Sequence, residues 1–445
     1  MDDWPVPKKK LNRREALSLF GKTLGRSALA FPLLNVALLD MSCVGAKQAG
    51  QTQPTLTDDQ FLDQMEQAAF QFFWDRAGAH TGQIMDRAYA SGADDSRTIS
   101  SIAATGFGLA ALCIGAQRVY MPASQIQSRV LTTLNFVWTQ LAQQNGFFYH
   151  FVDMNTGQRA EQSEVSSIDT AILLCGVLTC RQFFQDAQIQ SLATQIYDRV
   201  NWPWMLNAGT TFSEGWTPEG GFLTARYDTY CELMMLYLLA IGSTTFPVPA
   251  SAWDAFSRPL VTFQNYTYIS GKDPLFTHQY SHAWFDFRNK QDAYANYFNN
   301  SVIATEAHKA FCLTLAGEFS DYSTNLWGIT ASDSVGGYVI WGGPPAMGPI
   351  DGSVIPCAPG GSIPFASSDC IAVLRNMWAT YPAAWQHYSF VDAFNPLKNW
   401  YDTDVLGIDL GISMLMAENY RSSFVWNTFM KNPEAKAAMT AVGFK

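Results

Sequence analysis

Three carboxylates, Glu164, Glu232 and Asp409, stand at or just inside the start of apolar, helix-like runs. Carboxylates delivered from distant segments to one space are the chemistry of glycosidic bond cleavage, one giving a proton to the leaving oxygen and one activating water. The stretch Gly146–Leu174 reads as an aromatic hairpin, turning at Asn155-Thr156-Gly157, that brings Glu161, Glu164 and Asp169 to a helix entrance. Ser166 is placed to cap that helix with Asp169 at its third position, so Asp169 has a structural role open to it beside a chemical one. In Glu214–Gly242, Glu232 falls one turn inside a run of Leu, Met, Tyr and Ala. Burial there predicts a raised pKa and a carboxyl kept protonated near neutral pH, the state a general acid needs.

Two further segments carry candidate groups. In Asn399–Trp426, Asp402, Asp404 and Asp409 approach a last apolar run, and the glycines flanking Asp409 would let backbone and ligand come close. Any of the three is equally suited to cap the helix. In Leu275–Arg288, His278, His282, Asp286 and Arg288 lie among Tyr280, Trp284 and other aromatic residues. Two histidines four apart on a helix bind metal, but this stretch does not read as helical and offers no third ligand. Hydrogen bonding to sugar hydroxyls is the expectation, with no metal and no cofactor.

Groups so far apart in sequence need a scaffold that gathers helix starts. Six runs are apolar nearly all round, beginning at Ser100, Ser166, Tyr230, Glu306, Ser368 and Leu410. Such helices have no face for water and belong inside. Amphipathic segments alternate with them: a helix carrying Phe61, Leu62, Met65, Ala69, Phe72 and Phe73, capped by Asp58 or Asp59, and then Ser124–Gln143, Asp186–Met205 and Ala252–Phe263. Outer and inner helices in alternation predict an all-α (α/α)6 toroid, with long aromatic loops at Tyr266–Asn300 and Asp333–Phe365 walling a cleft. Trp74, Phe148, Tyr149, Trp216, Tyr280, Trp284, Trp341 and Trp400 are candidates for stacking on pyranose rings, a minority of them expected to touch ligand.

Composition narrows the ligand. Of 445 residues, 48% are hydrophobic, 14% aromatic and only 15% charged. Residues 43–445 hold 21 basic and 34 acidic side chains, a formal charge of −13, which excludes nucleic acid and anionic membrane as main partners. A neutral oligo- or polysaccharide fits. Residues 1–42 differ: Asn12-Arg13-Arg14-Glu15-Ala16-Leu17 and the apolar Ala28–Leu39 have the order of a twin-arginine export signal. Export to a periplasmic or extracellular compartment is expected, with 43–57 as linker and 58–445 as the catalytic domain. Cys43 is a candidate lipid anchor, the sole route to a membrane. Cys357 and Cys370 are the one pair proposed as a disulfide.

Taken together, Asp86-Arg87 followed by SIAATGFGLAAL, Glu164 with SSIDTA, the Tyr230–Leu239 block, HQYSHAWFDFR, and GIDLG followed by ENYRSSFVW resemble the glycoamylase-like domain of bacterial endo-β-1,2-glucanases of glycoside hydrolase family 144. The resemblance runs from about Phe61 to Asn432. It implies an (α/α)6 fold and inverting hydrolysis of β-1,2-glucan, with Glu232 as general acid, Asp409 as general base and Glu164 as a further essential carboxylate. It also implies substrate contacts from Asp86, Arg87, Asp169, Asp404 and Asn419, along with the histidines and aromatic residues above. Leu410-Gly411-Ile412 departs from the Gln-Gly-Pro common in that family, removing a polar cleft contact. The alternatives are a non-catalytic glycan-binding lipoprotein, a polysaccharide lyase using Tyr280 and His282, and a glycosyl-transferring relative.

Overall fold

The computed structural model describes residues 56–445 apart from 273 and 345–347, so the export segment, Cys43 and most of the linker lie outside the described residues. Six outer elements alternate with six inner ones. The first four outer elements are α1 (Asp58–Asp75), α3 (Ala123–Thr139), α5 (Ala187–Asp198) with the short α6 (Trp202–Leu206), and a 3-10 turn at Ala250–Asp254. The inner elements begin with α2 (Ile102–Gln117), α4 (Ser167–Phe183) and α7 (Met234–Gly242). Buried residues run without a break from Ile102 to Gly115 and from Ser167 to Arg181, as helices without a polar face require. Thr57, not Asp58 or Asp59, caps α1, in a reciprocal box with Gln60.

The fourth and fifth inner elements correct the sequence reading. They are two short 3-10 helices, Leu275–His278 and Tyr280–Ala283, and the single turn α9 (Cys357–Gly360). The runs from Glu306 and Ser368, expected inside, belong to outer helices α8 (Tyr297–Thr314) and α10 (Ser367–Thr380). Each buries one face and leaves residues such as Glu306 and Ala372 exposed. The last inner helix is α11 (Gly407–Ser422), followed by α12 (Phe424–Phe429) and α13 (Pro433–Ala441). Of residues 252–263, read as an outer helix, only 252–254 lie in the 3-10 turn, and the rest leads into a hairpin in which Leu260–Phe263 pairs with Tyr266–Ile269.

The inner ring closes through specific contacts. A Cβ on Gly176 would overlap the Gly106 carbonyl, so two glycines let α2 and α4 cross in backbone contact. On the other side of α2, Gly407 meets Ala104 and Gly411 meets Phe107, which brings α11 against it. Ser281 Oγ accepts from the Met235 N–H at 3.0 Å and donates to the Glu232 carbonyl at 2.7 Å, joining α7 to the 3-10 element. Gln279 Nε2 donates to the Ala358 carbonyl and to Ser362 Oγ, both at 2.8 Å, joining it to α9. Packing of α4 on α7 and of α9 on α11 completes the circle. Cys357 and Cys370 are separate free thiols, so the proposed disulfide is absent.

Short antiparallel ribbons tie the entrances of neighbouring inner helices. Arg87–Tyr89, ahead of α2, pairs with Asp404–Leu406, ahead of α11. Ile99–Ser101 pairs with Phe151–Asp153, and Val165–Ser166 pairs with Gly215–Trp216. The result is a belt at one end of the ring, holding the starts of α11, α2, α4 and the approach to α7 in register.

Candidate active site

Two carboxylate groups sit on this belt. The first is built on the start of α4. Ser166 Oγ accepts from the Asp169 N–H at 3.2 Å and donates to Asp169 Oδ2 at 2.6 Å, so the capping role foreseen for Asp169 is realised. Buried His150 lies between two acids, its Nδ1 3.0 Å from Glu164 Oε1 and its Nε2 3.6 Å from Asp169 Oδ2. Its ring stacks on Phe151 at 3.9 Å, which fixes its plane. Glu232 stands in the turn before α7, half-buried, and not one turn within the helix as read from the sequence. Burial, then the carboxylates of Glu232 and Glu214, then Cys231 and Asp169, push the Tyr227 hydroxyl well above the usual phenol range. Tyr227 is thus within electrostatic reach of Glu232, ahead of α7, and of Asp169 on α4.

The second group surrounds the start of α11, where Gly-Ile-Asp places Asp409 at the third helical position that Asp169 occupies in α4. Arg87 binds Asp86 at 3.2 Å and Asp333 at 2.5 Å, and Arg97 grips Asp404 through two bonds of 2.6 and 2.9 Å. Asp392 is buried, accepts from the Asp333 N–H at 2.7 Å and faces Asp409. Burial and the charge of Asp409 drive the Asp392 carboxyl well above the ordinary carboxylate range. Burial and the charge of Asp333 bring Asp402 up to about 7. The glycines beside Asp409 serve helix packing against Ala104 and Phe107, not ligand approach, which corrects the role expected of them.

Of the other candidates, Trp216 is half-buried on a belt ribbon, Trp400 is half-buried on a separate ribbon in which Trp400–Tyr401 pairs with Phe394–Asn395, and Trp341 is buried with its Nε1 donating to Ser332 Oγ, next to Asp333. Tyr280 lies beneath, against Phe107 and Phe276. The remaining residues of HQYSHAWFDFR are corrected, because that segment is itself an inner wall whose rings fill the barrel. Trp284 is wholly buried at 4.9 Å from Phe107, and His282 is enclosed by Phe287, Phe298 and Phe365. His278 is buried beside Tyr230. Desolvation lowers both histidines to about 3, so they are neutral. Asp286 pairs with Arg288, which stacks on Trp426 and bonds Ser423 at the C-terminal end of α11. Asn419 bonds the Ala283 carbonyl and the Trp426 N–H, about 15 Å of helix rise from Asp409. These last three belong to the far end of the ring.

His150, Tyr227, Arg97, Asp333 and Asp392 were not singled out from the sequence. His150 alone carried a signal there, as the polar residue of the aromatic hairpin before Glu164.

Residues 224–433 match the model of the family named Glycoamylase, glucoamylase-type proteins. An exo-β-1,2-glucooligosaccharide sophorohydrolase (non-reducing end) of Parabacteroides distasonis is 25% identical over 427 residues, covering 87% of this chain and 58% of the relative. The chain thus spans 58% of the length of that curated relative. The endo-β-1,2-glucanase of Chitinophaga pinensis, solved with sophorotriose and glucose, shares its fold with a TM-score of 0.81 at 25% identity, over 88% of this chain and 99% of that one. A β-1,2-glucanase from Parabacteroides distasonis overlays with a TM-score of 0.81 at 23% identity, over 87% and 60% of the two chains. A closed ring of six inner elements with carboxylates at its belted entrances thus goes together with a likeness to the Glycoamylase family over residues 224–433 and to the fold of a β-1,2-glucanase over 88% of the chain.

Proposed function

We propose that this chain is an exported glycoside hydrolase that cleaves β-1,2-glucan internally, with inversion, releasing sophoro-oligosaccharides. The observation that carries the reading is the pair of carboxylate groups, around Glu232 and around Asp409, on one belt of helix entrances. The sophorohydrolase and the Chitinophaga endo-glucanase supply the linkage, and the latter the endo mode.

In the proposed reaction Glu232 gives its proton to the glycosidic oxygen as the bond to the anomeric carbon breaks. Asp409 takes a proton from water, whose oxygen attacks that carbon from the opposite face. An inverting pair needs room for this water, a gap of about 6.5–9.5 Å. Glu164, held by His150, positions sugar hydroxyls beside Glu232, while Asp86, Arg87, Asp404 and Trp400 line the Asp409 side. The neutral, enclosed His282 argues against a lyase mechanism.

Incubation with linear β-1,2-, β-1,3- and α-1,4-glucans, with product sizing and anomer detection by NMR, tests this. Release of β-1,2 oligosaccharides of inverted configuration is expected. Action on another linkage alone, or retained configuration, would overturn it. Export is tested by appearance of the chain outside the cytoplasm and its loss on Arg13→Lys with Arg14→Lys.

A further inference from the structure

Behind Asp409, three aspartates from three separate segments present oxygens to one small space. Asp333, Asp392 and Asp402 are all buried, and one carboxylate oxygen from each lies within 4.8 Å of the others. Each is oriented from outside the space. Arg87 holds Asp333, the Asp333 N–H holds Asp392 Oδ2, and the Asp404 N–H holds Asp402 Oδ1 at 3.2 Å. Among the described residues, Asp402 Oδ2 is buried without a hydrogen-bond donor, and the only partner of Asp392 besides the Asp333 N–H is another acid, the carboxyl of Asp409. Asp392 and Asp402 are more than nine-tenths buried, at 4% and 7% exposure. A buried carboxylate oxygen without a donor is costly, and beside two further acids it costs more.

We infer that Asp333, Asp392 and Asp402 form a calcium site that pins the three loops beside the α11 entrance. Hard oxygen ligands of this kind take calcium or magnesium. Calcium bonds oxygen at about 2.3–2.6 Å, so any two of its ligands stand no more than about 5 Å apart, a bound that the three aspartates satisfy. Magnesium draws its ligands to about 2.1 Å and keeps several waters, which suits these three buried carboxylates less well. Arg87 is shared with Asp86, so the local positive charge does not balance the acids that face it. Bound calcium would hold the Asp392 carboxylate facing Asp409 in one fixed orientation. Of its ligands only Asp402 stands out in the sequence, because Asp333 and Asp392 come from irregular loops with no fixed spacing.

The test uses the full chain stripped with EDTA, and reads binding without any glucan, so it is independent of the proposed activity. Titration calorimetry with CaCl2 should give one ion per chain, and excess calcium should raise Tm by a few degrees. Both responses should vanish in Asp402→Asn and in Asp392→Asn. Each variant neutralises a repelled acid with little change of shape, so its metal-free form should melt no lower than the parent. No heat and no Tm shift in the parent would overturn the site, as would full calcium binding by both variants. A magnesium response equal to the calcium one would overturn the choice of ion.

Discussion

His150 Nδ1 lies 3.0 Å from Glu164 Oε1, across the hairpin that leads into α4. The same ring comes within 3.6 Å of Asp169, which Ser166 holds, so one buried imidazole bonds the first acid of that entrance and stands beside the second. His150→Ala frees Glu164 to turn, and misplacement of a group by an ångström costs about 100-fold in rate. A 10- to 100-fold loss of kcat is expected, with a smaller change in KM and a far-UV spectrum like the parent's. His150→Asn, whose amide reproduces the Nδ1 contact, should recover part of the loss. Equal kcat in all three proteins would remove the positioning role.

Glu232→Gln and Asp409→Asn separate the two halves of the proposed reaction. Each should lower glucan hydrolysis by about 10²- to 10⁴-fold, the usual worth of a general acid or base. Substrates with good leaving groups need no proton, so aryl β-sophorosides should restore much of the rate to Glu232→Gln and little to Asp409→Asn. A uniform loss on both substrates would mean that Glu232 binds sugar and does not donate a proton.

The ring and its two acid groups were legible in the sequence to different degrees. The helices α2, α4, α7 and α11 announced themselves by being apolar on every side. The fourth and fifth inner elements did not, because polar side chains hold them: Ser281 binds α7 and Gln279 binds α9. Their shortness also made the long outer helices α8 and α10 look like the inner pair. Asp169 and Asp409 were legible because a helix start fixes where its third residue goes. Asp333 and Asp392 arrive on irregular loops, and His282 and Trp284 looked like ligand contacts because a barrel lining and a sugar platform use the same residues.

The pH dependence of stability in EDTA follows from Asp402, whose carboxyl rises from 3.8 to about 7 on folding. Between those values the folded chain binds more protons than the unfolded one, so stability falls as pH rises and levels off above 7. Each unit is worth about 1.4 kcal/mol, shared with the coupled Asp392 and Asp333. Buried His278 and His282 act in the opposite sense below 6.5, losing stability as pH falls toward 3. The difference in Tm between Asp402→Asn and the parent cancels the histidine contribution and should widen steadily from pH 4 to pH 7. A constant difference would mean that Asp402 titrates normally.

The α2–α4 crossing rests on Gly106 and Gly176, where the Cβ of an alanine would run into backbone, an obstacle that no rotamer change relieves. Overpacking costs about 1–3 kcal/mol where side chains yield, so Gly176→Ala should exceed that range, because two inner helices must move apart. The separation would widen the belt between the Ile99–Ser101 ribbon and Ser166, shifting Glu164 and Asp169 relative to α11. Activity should therefore fall even at temperatures where the variant remains folded. Gly317, where an added methyl would meet nothing within 4 Å, is the control, and Gly317→Ala should leave both Tm and kcat unchanged. Loss of Tm without loss of kcat in Gly176→Ala would show that the entrances keep their register independently of the helices beneath them.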